Sequence, residues 1–303
     1  MKGKILSHRL RSPVAVEHSP SALEEMLRSG IRYLEVDTRV TADGVVFIYH
    51  DPKLRRDVSG RGLTARMSSQ ELRDRAFSNG DNLMDLDYLL ERFAADGAHD
   101  TVLCLDIKDY GYEEIHLNAV RKYSLESRVV FVSWIPQTIR RLAELDTTSP
   151  LVLSHLNTSA WKRRGWLLEN VSRRMTLRFG RFVLIGKSNT SSDLNTRAHG
   201  FQHAVLCTRL PSDMEGILRV SKGGIAVSTR HVTEDLKAYC RDKGLRLWVF
   251  SVDSIDQFIE YAADENIDVV FCNDALAVQR WASGNACENI EDKAPSSAKG
   301  EQL

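Results

Sequence analysis

The chain has 303 residues, 43% of them hydrophobic, with 41 Lys+Arg against 41 Asp+Glu. That is enough apolar material for one large core, at the size where a TIM-type barrel forms a single domain. A net charge of zero speaks against a broadly basic nucleic-acid binder, and 7 Pro with 18 Gly speak against a low-complexity chain.

Taken in chain order, short apolar β-type runs alternate with helical patterns, which predicts a parallel α/β architecture. A first strand at 4–7 leads to a helix at 19–28, with Ser19 and Pro20 at its start and Gly30 as the stop signal. Strands at 33–37 and 45–49 read as an adjoining pair joined by the Thr41-Ala-Asp-Gly44 turn. A Ser68-x-x-Glu71 capping box opens a helix at 68–75, and another helix is expected at 85–95. Strands at 102–107, 129–133 and 151–154 then alternate with helices at 113–123 and 137–145. The closing elements are strands at 224–228, 245–252 and 269–272 with helices at 233–243 and 255–266. One of the nine strands is surplus, and the other eight make a barrel.

Residues 155–223 are less regular. Trp161 and Trp166 sit among Lys162, Arg163, Arg164, Arg173, Arg174, Arg178, Arg181 and Lys187, opposed only by Glu169. This reads as an enlarged βα segment of the barrel. Two readings of 161–187 stay open: a surface held against anionic lipid headgroups, or a solvated helix over the barrel rim. The expected organisation is one barrel domain over 1–282 and a disordered polar tail over 283–303.

The five cysteines (Cys104, Cys207, Cys240, Cys272 and Cys287) form no CxxC pair. Neither a zinc site nor a disulfide framework is suggested, and a reducing compartment is the simpler reading. The apolar stretch of MKGKILSHRL is too short for a signal-peptide core, and no run has the apolar length of a membrane span. The expectation is a soluble, cytoplasmic protein.

Four motifs close predicted strands: Ser7-His8-Arg9, Glu35-Val36-Asp37, His50-Asp51-Pro52 and Asp106-Ile107-Lys108. Reactive residues of parallel barrels come from these carboxyl ends. Side chains alternate along a strand, so Glu35 and Asp37 share a face, as do Asp106 and Lys108. Three converging carboxylates call for a cation, and an all-oxygen set suits Mg²⁺ or Ca²⁺. Two histidines, Arg9, Lys108 and a metal suffice to split a phosphodiester. Asp51 either orients His50 or caps the turn before Pro52. Glu17 partners the metal or Arg9, or is a helix N-terminal carboxylate. Phe250 reads as core, and His18 has no assigned role.

In this order the motifs resemble the glycerophosphodiester phosphodiesterase family. The resemblance runs through His8-Arg9, Glu17-His18-Ser19 (family pattern Glu-Asn-Thr), Thr41-Ala-Asp-Gly44, His50-Asp51, Leu54-Arg55-Arg56, Ser59-Gly60-Arg61-Gly62 and Asp106-Ile-Lys108. It resumes at Phe250-Ser-Val-Asp253, like the family's Trp-Thr-Val-Asn, and at Cys272-Asn273, like its Thr-Asp. The resemblance implies a TIM barrel and hydrolysis of glycerophosphodiesters to glycerol 3-phosphate and an alcohol. It implies His8 and His50 as the acid–base pair, Glu35, Asp37 and Asp106 as metal ligands, and Arg9 and Lys108 at the phosphate. The chain departs at Leu10 (usually Gly), Asp106 (usually Glu) and Asn273 (usually Asp). The last two resemble the related sphingomyelinase D-like phospholipases, which cleave choline-bearing lipids, often through a cyclic phosphate. The expected partners are therefore a glycerophosphodiester or a lysophospholipid. A phospholipid-binding barrel without catalysis is the remaining alternative.

Overall fold

The computed structural model describes residues 1–54, 57–97, 100–146, 148–155, 157–162, 201–206 and 209–284. Among the described residues there are eleven strands: β1 Ile5–Ser7, β2 Tyr33–Val40, β3 Val46–Ile48, β4 Val102–Ile107, β5 Val129–Ser133, β6 Leu151–Ser154, β7 Asn157–Lys162, β8 Phe201–Leu206, β9 Gly224–Ser228, β10 Arg246–Val252 and β11 Val269–Cys272. The main sheet runs β1-β11-β10-β9-β6-β5-β4-β2 and closes through a β1–β2 pairing. These eight strands are all parallel to their neighbours. β3 is the surplus strand and pairs antiparallel with the end of β2, across the expected turn. The fold is the TIM-type (β/α)8 barrel.

Alternation along the strands builds two cores. Leu6, Tyr33, Cys104, Val152, Trp248 and Phe271 fill the barrel interior. Leu34, Val36, Leu103, Leu105 and Leu153 face outward into the larger core beneath the helices. Each such fully buried side chain contributes about 1.5–3 kcal/mol relative to exposure. Gly224 sits where backbones crowd: a Cβ there would stand 2.0 Å from the Arg246 carbonyl oxygen.

The helices are α1 Pro20–Arg28, α2 Ser69–Arg73, α3 Leu86–Ala95, α4 Glu113–Lys122, α5 Pro136–Leu145, α6 Ser212–Val220, α7 Glu234–Lys243, α8 Ile255–Ala262 and α9 Ala275–Ala282. Their local signals act as expected. Ser19 accepts from the Ala22 N–H to start α1, and Gly30 follows it at φ 70°. The Ser68–Glu71 capping box is complete.

Two helices escaped the sequence pattern. α6 buries only Met214 and Leu218 and carries Gly216, so its periodicity is faint. α9 is short, although Asp274 caps it by accepting from the Ala277 N–H. The stretch read as irregular also holds an antiparallel β7–β8 pair. Trp161 and Lys162 end β7. Residues 163–200, most of the basic stretch, lie outside the described residues, as do Arg55-Arg56 and 285–303. Cys104, Cys240 and Cys272 are buried and free. No helix among the described residues is long and apolar enough to cross a membrane.

Candidate active site

Strands β2 and β4 bring the predicted carboxylates together. Glu35, Asp37 and Asp106 are buried, and each offers an oxygen within 4.8 Å of the others. The β2–β4 register sets this up, because Asp37 lies directly beside Asp106. The Lys108 ammonium lies 2.8 Å from Asp37 Oδ1 and 2.6 Å from Asp106 Oδ2, bridging the two. Asp37 Oδ2 and Asp106 Oδ1 are buried and carry no hydrogen bond.

The electrostatics are uneven. Burial works against ionisation of Asp37, but Lys108, His50 and Arg9 hold its carboxyl well below the ordinary range. Burial, followed by Asp37 and Asp106, pushes Glu35 well above it. Burial also raises Asp106, against the pull of Lys108. Three buried carboxylates face two cations here, Arg9 and Lys108. Hard oxygen donors, two oxygens without hydrogen bonds and a carboxyl resisting ionisation together suit a divalent metal ion.

The segment after β1 folds back over the end of β2. The Arg9 N–H donates to Glu35 Oε2 at 2.8 Å, and Arg9 Nε lies 3.4 Å from Asp37 Oδ2. Arg9 and Leu10 take φ of 61° and 53°, and Leu10 is fully buried. Each left-handed L-residue costs about 1–2 kcal/mol. Leu10 thus stands at a backbone position suited to the family's Gly. Glu17 accepts from Arg11 Nε at 2.8 Å and lies 3.6 Å from Arg9, so it partners the arginines.

His18, given no role from sequence, is buried, and its Nε2 accepts from the Asp37 N–H at 3.3 Å. The accepting Nε2 puts the ring proton on Nδ1, and burial, against the pull of Asp37 and Glu17, holds the ring neutral with a pKa of about 4. The signal was present, because His18 occupies the Asn of the family pattern and both side chains can accept here.

The two catalytic candidates are supported differently. His50 Nδ1 lies 2.8 Å from Asp51 Oδ1, so of the two readings of Asp51 the geometry favours orientation of His50. His8 Nδ1 lies 2.7 Å from Asn273 Oδ1. Asn273 Nδ2 in turn donates to Ser251 Oγ at 3.2 Å and Asp253 Oδ1 at 2.5 Å. A carboxylate can only accept, so Asp253 fixes the amide with its oxygen toward His8, and the His8 proton sits on Nδ1. Burial and Arg9 lower the His8 pKa to about 3. Burial also holds His50 well below its ordinary value, against Asp37 and helped by Lys108. Both imidazoles are neutral, each with its Nδ1 committed to a hydrogen bond.

A buried ion pair braces this side. Arg39, 1% exposed, donates from Nε to the His50 carbonyl at 2.8 Å and from Nη1 to Asp109 Oδ1 at 3.3 Å. Asp109 Oδ2 accepts from the Val40 N–H at 2.9 Å. The pair ties the segments bearing His50 and Lys108 to β2. On the opposite side Phe250, read as core, is partly exposed and packs on the interior cluster.

A family model described as the glycerophosphoryl diester phosphodiesterase family matches residues 6–228. The chain belongs to that family. A probable glycerophosphodiester phosphodiesterase 2 of Mycobacterium tuberculosis is 26% identical over 202 residues, covering 66% of this chain and 65% of the relative. The glycerophosphodiester phosphodiesterase of Caldanaerobacter subterraneus subsp. tengcongensis is 25% identical over 154 residues, covering 48% and 63%. The chain thus spans slightly less than two thirds of the length of these family members. Among solved structures, the Agrobacterium tumefaciens glycerophosphodiester phosphodiesterase superposes with a TM-score of 0.62 at 18% identity, covering 91% of this chain and 99% of that one. An Oleispira antarctica phosphodiesterase, solved in complex with the product sn-glycerol-3-phosphate, gives 0.64 at 16% identity, covering 92% and 96%. These likenesses carry the family's barrel fold.

Proposed function

We propose that this chain hydrolyses glycerophosphodiesters to glycerol 3-phosphate and an alcohol, with residues 1–282 as the catalytic barrel and 283–303 as an appended tail. The observation that carries the reading is the buried Glu35–Asp37–Asp106 cluster beside two histidines with oriented Nδ1–H groups. The Oleispira relative's product, sn-glycerol-3-phosphate, is in keeping with that substrate class.

Glu35, Asp37 and Asp106 would hold Mg²⁺ or Ca²⁺. When bound, the ion supplies positive charge to the phosphoryl oxygens. Arg9 and Lys108 share the phosphate charge, Lys108 turning part of its ammonium from Asp37 and Asp106 to the substrate. His8 Nε2 takes the proton of the attacking water. His50, which takes up a proton at Nε2 from solvent when the anionic phosphate is bound, gives that proton to the alcohol oxygen as the P–O bond breaks. The assignment follows from the partners: the Asp51 carboxylate stabilises an imidazolium at His50, while the neutral Asn273 amide leaves His8 as a base.

A second reading is favoured by Asp106 and Asn273, the two departures shared with sphingomyelinase D-like phospholipases. In it a substrate hydroxyl attacks, and the product is a cyclic phosphate from a lysophospholipid. The substrate is in either case a small molecule and not a nucleic acid, with membrane contact through 161–187 as the route to a lipid. Phosphorus NMR of the products from glycerophosphocholine and lysophosphatidylcholine separates the readings. Glycerol 3-phosphate from the first supports hydrolysis, and a cyclic phosphate supports internal attack. Metal binding with neither product would leave a binding barrel.

A further inference from the structure

On β6, Val152 points into the barrel while Leu151 and Leu153 point outward. Strict alternation past Ser154 would send His155 outward as well. It does not go there. His155 adopts φ 67°, in the left-handed region, and its N–H donates to the Ala226 carbonyl at 2.6 Å. The turn brings its ring within 5.1 Å of the Phe250 ring, edge to face. Phe250 lies 5.9 Å from Phe271, and Phe271 lies 5.8 Å from His8. The four rings form one continuous wall from the proposed base to the rim above β6.

Two features of His155 have no structural explanation in this wall. A left-handed histidine is strained, and such strain collects at ligand sites. Its Nδ1 is also buried and has no hydrogen-bond partner, where buried polar atoms are nearly always paired. Burial, with Lys108 and His231 nearby, keeps the imidazole neutral with a pKa of about 4. A neutral ring on an aromatic wall is suited to a neutral polar group, and a hydroxyl both donates and accepts.

We infer that His155 is a substrate-contact residue whose Nδ1 hydrogen-bonds a hydroxyl of the glycerol half of the diester. This rests on the proposed function, since glycerol is the part common to every diester of that class. The strained backbone aims the side chain, and Phe250 holds its ring upright.

The test is calorimetric titration of wild type, His155→Phe and His155→Asn with glycerol 3-phosphate and with ethyl phosphate, which carries the same phosphate without hydroxyls. His155→Phe keeps a ring on Phe250 and removes both nitrogens. His155→Asn restores a hydrogen-bonding side chain that tolerates the left-handed region. The expected result is about tenfold weaker glycerol 3-phosphate binding by His155→Phe, largely recovered in His155→Asn, with ethyl phosphate changed less than about twofold. Equal weakening of both ligands, or of neither, would overturn the contact. Wild type that binds glycerol 3-phosphate in this His155-dependent way but cleaves no diester would sink the proposed activity and leave the contact standing.

Discussion

The two sides of the barrel mouth are built from different materials. The β1–β4 side carries His8 and His50 beside Arg9, Glu35, Asp37, Asp106 and Lys108, the last five linked by short polar contacts. The β6–β11 side carries His155, Phe250 and Phe271, linked through ring edges. The first side concentrates charge where a phosphate would react. The second offers shape and a few polar atoms to the organic part of a substrate. Asn273 joins them: it sits at the end of β11 and orients His8. On the proposed function, chemistry and selectivity would be altered separately, except at that junction.

The largest expected effect breaks the charged side. His8→Ala and His50→Ala should each lower kcat by about 10²–10⁴, with thermal melting near that of wild type. Near-normal turnover by either variant would remove that histidine from the mechanism.

The next effect concerns stability. Arg39→Met leaves the Asp109 carboxylate buried without its cation, which costs about 3–5 kcal/mol. Urea unfolding should show that loss, and the Arg39→Met/Asp109→Leu double variant should recover much of it, because it buries no lone charge.

The junction gives a smaller and more selective effect. Asn273→Asp alone sets two carboxylates against each other where Asp253 now accepts from the amide, so kcat should fall. The Asp253→Asn/Asn273→Asp exchange recreates the family's Asn and Asp at these positions and should restore most of the rate. If the exchange is no better than the single variant, Asp253 does not orient Asn273.

A further effect is the pH dependence of stability. His8 has a folded pKa of about 3, and His18, His116 and His155 of about 4, each below the ordinary 6.5. The unfolded chain therefore binds more protons between those values. The stabilising contribution is complete above about pH 6.5 and is lost as pH falls through the folded values. For the fully buried His116 the slope is about 1.4 kcal/mol per pH unit within that window. Stability measured between pH 7 and 4 should fall less steeply in His116→Gln.

Much of the charged side was legible because it obeys strand alternation. Glu35 and Asp37, or Asp106 and Lys108, are two residues apart at strand ends, so local sequence places them on one face. The eight-strand barrel and the surplus β3 were legible for the same reason. The supporting groups were not. Arg39 and Asp109 are 70 positions apart, and their contact depends on how β2 and β4 pair. His155 reaches its place through a positive φ, which for a non-glycine residue leaves no pattern in sequence. Donor and acceptor accounting at Asn273 likewise needs its neighbours in space.

The most direct test of the central claim is glycerol 3-phosphate release from glycerophosphocholine, with EDTA and after adding back Mg²⁺ or Ca²⁺, for wild type and Asp37→Asn. The prediction is release by wild type that EDTA abolishes and one of the two ions restores, and little release by Asp37→Asn under any condition. Release that persists undiminished in EDTA would contradict a metal held by the buried carboxylates.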